Sequence, residues 1–320
     1  MSEYQNLTRR RMLNVMAVST LGGVAQAATH DQAEQDEFSQ TRTDRRRRQE
    51  VTNEFVEVEP NVRLHILDWG QGKPIVFIHG WPLSHEMFEY QYTQLAANGF
   101  RCIGITMRGF GKSSKPYGDH NYDVFADDVS EVLEALDLHQ VTLAGFSMGG
   151  GVALRYMTRH RGARVSKLAL LAAAAPSFVK RPGFPYGLER ATLDGFIRAS
   201  YQDRAKLNDD FGKMFFLTED AVSPKLGDWF HRMGMEASAH ATASILIALR
   251  DSDLRADLGK VRVPTAIFHS TEDKIALFPL AEAMKEGIRG SELIRFQNSG
   301  HGFVYEERDK LNSELMDFVR

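Results

Sequence analysis

Six short, unbroken apolar runs separated by stretches of helical periodicity constrain this chain more than any other feature. They are PIVFIHG, RCIGITM, VTLAGF, KLALLAA, VPTAIFHS and ELIRF. A strand with one wet face alternates apolar and polar residues, so a continuous run of this length marks a strand buried on both faces. Between the runs, Phe125, Val129, Val132, Leu133 and Leu136 share one side of a helix, as do Leu311, Leu315 and Val319. Buried strands alternating with amphipathic helices predict an α/β fold, an open, doubly wound, mostly parallel sheet. Ahead of the first run, FVEVE and VRLHILDWG read as a hairpin turning at Pro60-Asn61. No internal repeat is visible.

One interval breaks this rhythm. Between KLALLAAAAP and VPTAIFHS the chain has no buried strand, only helical patterns such as Leu193, Phe196, Ile197 and Tyr201. Residues 176–258, roughly, therefore read as a helical cap inserted above the sheet. Most of its aromatic and methionine side chains form the cap's own small core. A lid over a site also needs an apolar underside, and Phe215, Phe216, Trp229 and Phe230, with Pro82 from the sheet side, are the candidate pocket residues.

The stretch VTLAGFSMGGGVALRYM sets Ser147 at the junction of a buried strand and a helix, with Gly145 and Gly149 two residues to either side. This G-x-S-x-G spacing permits a strained turn that pushes the hydroxyl out of the sheet. A serine hydroxyl is a poor nucleophile until a base takes its proton, and an acid must hold that base in the right tautomer. On such a sheet the partners follow in the order acid, then histidine. Asp273, just after VPTAIFHS, is favoured as the acid over its neighbour Glu272. His301, between Gly300 and Gly302 after the last strand run, is the candidate base. All three fall in loops at carboxyl ends of strands, where sites on open sheets form.

Attack on a carbonyl creates an oxyanion that needs two donors. One is the backbone N–H of Met148, after the nucleophile; the other is assigned to Trp81 in the loop His79-Gly80-Trp81-Pro82. Pro82 has no N–H to offer. His79 is read as a brace inside that loop. The segment GFGKSS is no phosphate loop, because Thr106 stands where the first glycine of G-x-x-x-x-G-K-[ST] is required.

Together, His79-Gly80-Trp81-Pro82, Arg108-Gly109-Phe110-Gly111-Lys112-Ser113, Gly145-Phe146-Ser147-Met148-Gly149-Gly150, Asp273 and Ser299-Gly300-His301 resemble the α/β-hydrolases. Within them the chain is most similar to the cofactor-free (non-haem) haloperoxidases and the aryl or carboxyl esterases, over residues 51–320. The resemblance implies a Ser147–His301–Asp273 triad, a helical cap, hydrolysis of small uncharged carboxylic esters through an acyl-enzyme, and perhydrolysis as a side activity. It implies no cofactor and no metal. Two positions depart from the pattern: Thr106 where Asp is usual in D-x-R-G-x-G-x-S, and Ser270 where Gly usually follows the seventh strand. Both are expected to bear on substrate rather than mechanism. Rival functions on the same residues are a cofactor-free lyase, a carbon–carbon bond hydrolase and a triad-bearing ligand receptor. Dehalogenases and epoxide hydrolases of this fold use an Asp nucleophile, so Ser147 speaks against both.

A formal net charge of -3 over 320 residues argues against a nucleic-acid partner. No apolar run is long enough for a membrane anchor. The expected partner is a small-molecule ester, with homo-oligomerisation left open. The lone Cys102 says little about compartment. Residues 1–27 read as a twin-arginine-type signal: Arg9, Arg10 and Arg11, a modest apolar middle, then Ala25-Gln26-Ala27. That predicts export to the periplasm; the alternative is a basic tail on a cytoplasmic protein. Residues 28–50, rich in charge, read as a disordered linker.

Overall fold

In the computed structural model, which describes residues 54–320, eight strands form one sheet. The expected signal and linker lie outside the described residues. The strands are β1 (Phe55–Glu59), β2 (Val62–Trp69), β3 (Lys73–Ile78), β4 (Phe100–Ile105), β5 (Val141–Phe146), β6 (Val165–Leu171), β7 (Thr265–Ser270) and β8 (Glu292–Phe296). Their order across the sheet is β1-β2-β4-β3-β5-β6-β7-β8. The pairs β1–β2 and β2–β4 are antiparallel, and every other pair is parallel. The six apolar runs are the six parallel strands, and the leading hairpin turns where Asn61 adopts a φ of 67°.

The burial pattern follows from position in the sheet. Every residue of β5 and β7 is buried, whereas the edge strand β8 buries fully only Phe296. The helix Tyr122–Ala135 packs its Phe125, Val129, Val132 and Leu133 face inward, and Asn121 caps it by accepting from the N–H groups of Asp123 and Val124. Strand order reverses at β3, which lies between β4 and β5. Such a switch point opens a crevice at the carboxyl ends of the strands.

The four long helices between β6 and β7 are Arg190–Gln202, Arg204–Phe215, Pro224–Glu236 and Ala239–Asp251. Asp203, Ser223 and Ser238 cap the last three by accepting from the N–H groups of Lys206, Leu226 and Ala241. The helical part is narrower than the interval 176–258. Residues 176–189 are a turn with two isolated bridges, tied down by Arg181, which donates to Ser177 and to the carbonyls of Arg250 and Ser252. Arg255–Leu258 packs on the sheet-side helix Met148–Arg159. Tyr201 points into solvent rather than inward with Leu193. Gly109, at φ 88°, lets the last long helix come close, since a Cβ there would stand 2.3 Å from that of Ala241.

Candidate active site

Ser147 links β5 to the helix Met148–Arg159 with φ 53° and ψ −116°, a conformation unfavourable for any residue with a Cβ. The surrounding backbone holds it there. The Ser147 N–H donates to the Leu171 carbonyl at 2.9 Å, and its own carbonyl accepts from Ala174 at 2.9 Å and Gly150 at 3.0 Å. Gly149 permits the turn to lie against β3, because a Cβ at that position would fall 2.3 Å from the Ile78 carbonyl oxygen.

His301 sits in the loop after β8, and the sheet brings it to the same edge as the serine. The Phe146 ring, next to Ser147 in sequence, packs 4.8 Å from the His301 imidazole. His301 Nδ1 lies 2.7 Å from Asp273 Oδ2, with both side chains buried. Asp273 Oδ1 accepts from the N–H groups of Ile275 at 2.8 Å and Ala276 at 2.9 Å. Burial works to raise the Asp273 carboxyl, but the neighbouring His301 and His269 outweigh it and hold the group well below the usual carboxylate range. Glu272 is exposed and accepts from Thr271, so Asp273 alone of the two reaches the histidine.

The loop after β3 carries Trp81. His79, fully buried, accepts from the Met107 N–H through Nε2 at 3.0 Å, which leaves the proton on Nδ1 to donate to the Gly80 carbonyl at 2.9 Å. It braces the loop as expected, and burial pushes its pKa down to about 4. The Trp81 indole donates to the Thr242 carbonyl of the cap at 3.1 Å. The peptide bond from Trp81 to Pro82 is cis. Among the described residues no protein acceptor takes the backbone N–H of Trp81 or of Met148. Met148 also opens a 12-residue helix, whose N-terminus favours negative charge.

A cavity of about 600 Å³ lies between the cap and the Trp81–Pro82 loop. Pro82, Phe215, Phe216 and Phe230 are among the residues that line it. Trp229 is not among them. It is one residue from Phe230 and so about a quarter-turn around the helix, on a separate cleft with Tyr90 and Tyr305. Phe215 also meets the His301 ring edge-on at 5.3 Å.

Several contributors were not legible beforehand. His269, on β7, places Nε2 3.4 Å from Asp273 Oδ2 and 2.6 Å from the Ala276 carbonyl. Ser270 was expected to affect substrate detail only. Instead its hydroxyl donates to the Ser299 carbonyl at 2.5 Å and accepts from the Glu272 N–H, joining the acid turn to the histidine loop. Thr106 keeps to the interior, where its hydroxyl accepts from the His85 N–H. Glu306 accepts from Gly300 N–H and from Leu217 N–H, both at 2.8 Å, tying the histidine loop to the cap. Glu307 accepts from the Ser299 hydroxyl at 2.6 Å. A carboxylate's use in loop anchoring depends on tertiary neighbours, and no local signal reveals it.

With this geometry in place, the family is clear: the chain belongs to the α/β hydrolase fold family, whose model matches residues 73–308. It is 50% identical over 264 residues to the AB hydrolase superfamily protein YisY of Bacillus subtilis (strain 168), covering 82% of this chain and 98% of that one. A non-heme haloperoxidase of Rhodococcus erythropolis is 32% identical over 273 residues, covering 83% and 98%. Among solved structures, an esterase from Exiguobacterium antarcticum superposes with a TM-score of 0.81 at 42% identity, over 84% of this chain and 99% of that one.

Proposed function

We propose that the protein is a serine hydrolase that cleaves small uncharged carboxylic esters through an acyl-enzyme. The observation that carries this is the buried 2.7 Å contact between His301 Nδ1 and Asp273, at the sheet edge where Ser147 is held in its strained turn. Asp273, kept ionised, fixes the imidazole with Nδ1 protonated, so that Nε2 is the free base. Nε2 takes the Ser147 proton as Oγ attacks the ester carbonyl. The oxyanion is received by the N–H groups of Trp81 and Met148, and the same proton passes to the departing alcohol. Water then attacks the acyl-enzyme with His301 again as base, releasing the acid and restoring Ser147.

The rings of Trp81, Phe211, Phe215, Phe216 and Phe230 on the cavity wall suit an uncharged acyl or alcohol group, with Asp209, Lys213, Glu219, Asp228 and Arg232 also on that wall. The names of the Exiguobacterium esterase and the Rhodococcus haloperoxidase support ester hydrolysis with a perhydrolytic branch. In that branch hydrogen peroxide replaces water and the product is a peracid. Peroxide gives one proton to His301 and can donate the other to the Trp81 carbonyl, whose direction Pro82 helps to set. The test is a chain-length series of p-nitrophenyl esters, with and without peroxide, on the parent and on Ser147→Ala. Steady multiple turnover by the parent is expected, with the variant left only the residual of about 10³–10⁴ over water that donors and binding supply in triad enzymes. A single burst without turnover would instead indicate a receptor, and near-native turnover by Ser147→Ala would remove the nucleophile assignment.

A further inference from the structure

Two cap helices line the cavity. Arg204–Phe215 contributes Asn208, Phe211 and Phe215, at i, i+3 and i+7, with the charged Asp209 and Lys213; Pro224–Glu236 contributes Phe230 and His231, with Asp228 and Arg232. Two polar atoms on this wall have no partner. Asn208 is 6% exposed, its Oδ1 has no hydrogen-bond partner, and its Nδ2 reaches only the Met235 sulfur at 3.4 Å. His231 Nδ1 is likewise buried and unpartnered. Buried polar atoms are nearly always paired, so two orphans on the wall of one cavity call for an explanation. Asn208 also lies beside Pro82. A Cβ at Gly234 would stand 3.1 Å from both its Nδ2 and Pro82 Cγ, which places the amide next to the Trp81–Pro82 loop.

We propose that Asn208, assisted by His231, is a specificity-determining anchor for a hydroxyl group carried by the substrate. The preferred substrates are then esters with an alcohol or phenol O–H set beyond the reacting carbonyl, a narrower class than uncharged esters in general. Both polar atoms are already out of water, so an unsubstituted alkyl or aryl group leaves them unpaired, whereas a hydroxyl supplies the missing bond and is preferred. A hydroxyl suits either orientation of the amide, since it both donates and accepts. This inference rests on the esterase reading above and concerns the same site.

The experiment compares matched pairs on the full-length enzyme. On the acyl side the pair is the p-nitrophenyl esters of (4-hydroxyphenyl)acetic and (4-methylphenyl)acetic acid. On the alcohol side it is 4-(hydroxymethyl)benzyl acetate and 4-ethylbenzyl acetate, followed by acid release. In at least one pair kcat/KM favours the hydroxyl member by about five- to tenfold, the range of one net hydrogen bond. Asn208→Leu brings that ratio close to one, and Asn208→Ser, which keeps a hydroxyl, restores part of it. Equal use of both members in both pairs by the parent overturns the inference while leaving the esterase reading intact. A preference that survives in Asn208→Leu overturns it as well. If no member of either pair is hydrolysed, the esterase reading itself fails.

Discussion

Acidification acts on this fold through His79. An imidazole in the unfolded chain titrates near 6.5, while burial, opposed only by the bond to Gly80, holds His79 down to about 4. The folded state therefore keeps His79 neutral over a range in which the unfolded chain already binds the proton. Stability falls as pH drops from about 6.5 towards 4 and levels off below. Between pH 7 and pH 5 this one site accounts for a loss of about 2 kcal/mol. Asp128 works in the opposite sense, since burial outweighs the pull of Arg108 and raises it to about 6. His85, which burial lowers to about 3, and His65 and His120, which burial also lowers, act in the same sense as His79, so a single pH profile of the parent mixes all of these effects. The clean measurement is a double difference, from urea unfolding of the parent and of His79→Asn at pH 7 and pH 5. The variant starts less stable, having lost the acceptor for Met107 N–H and some packing. Its further loss on acidification is nevertheless expected to be smaller than the parent's by about 2 kcal/mol, because Asp128, His85, His65 and His120 are common to both. Equal losses, to within about 0.5 kcal/mol, would mean that His79 is solvated in the folded state and would refute the burial argument.

Three further outcomes are expected. Asp273→Asn lowers kcat by several orders of magnitude, about 10⁴-fold in triad enzymes generally, with the fold intact by circular dichroism, whereas Glu272→Gln changes it little; the reverse pattern would place the acid one residue earlier. Glu306→Ala strips the acceptor from the Gly300 and Leu217 N–H groups and lowers stability by about 2 kcal/mol, a fall in Tm of roughly 4–8 °C by calorimetry; an unchanged Tm would show that water replaces the carboxylate. The paired change Arg9→Lys and Arg10→Lys leaves the precursor uncleaved in the cytoplasm of fractionated cells, and unchanged export would count against the twin-arginine reading.

Where the sequence was legible, a periodicity or a spacing carried the information. A run such as VTLAGF has no polar alternation, so it belongs at the sheet centre, and every residue of β5 is buried. Gly145 and Gly149 around Ser147 announced a turn that only close backbone approach explains, and the Ser147 φ of 53° agrees with that. The choice between Asp273 and Glu272 had no such support. Adjacent carboxylates look alike in sequence, and only the register of the turn after β7 buries one and exposes the other. The separation of Trp229 from Phe230 between two clefts was illegible for a related reason, because composition marks a helix as aromatic without saying which side faces which cleft.

The loop around His301 shows how far a local signal reaches. Gly300 and Gly302 mark a turn in any reading of the sequence, yet neither has a positive φ, so backbone conformation is not what requires glycine there. The requirement is room. A Cβ on Gly300 would meet the Leu217 N–H nitrogen at 2.8 Å, and one on Gly302 would meet the Phe216 and Phe215 rings at 2.7–2.8 Å. The end of the helix Arg204–Phe215 is pressed onto the histidine loop, and the Gly302 N–H donates to the Phe215 carbonyl at 2.7 Å. The same segment supplies two rings to the cavity wall. A shift of Phe215 therefore acts on Gly302 through this bond and on His301 through the ring contact. Under the mechanism proposed above, substrate size and the position of the base would be coupled through Phe215.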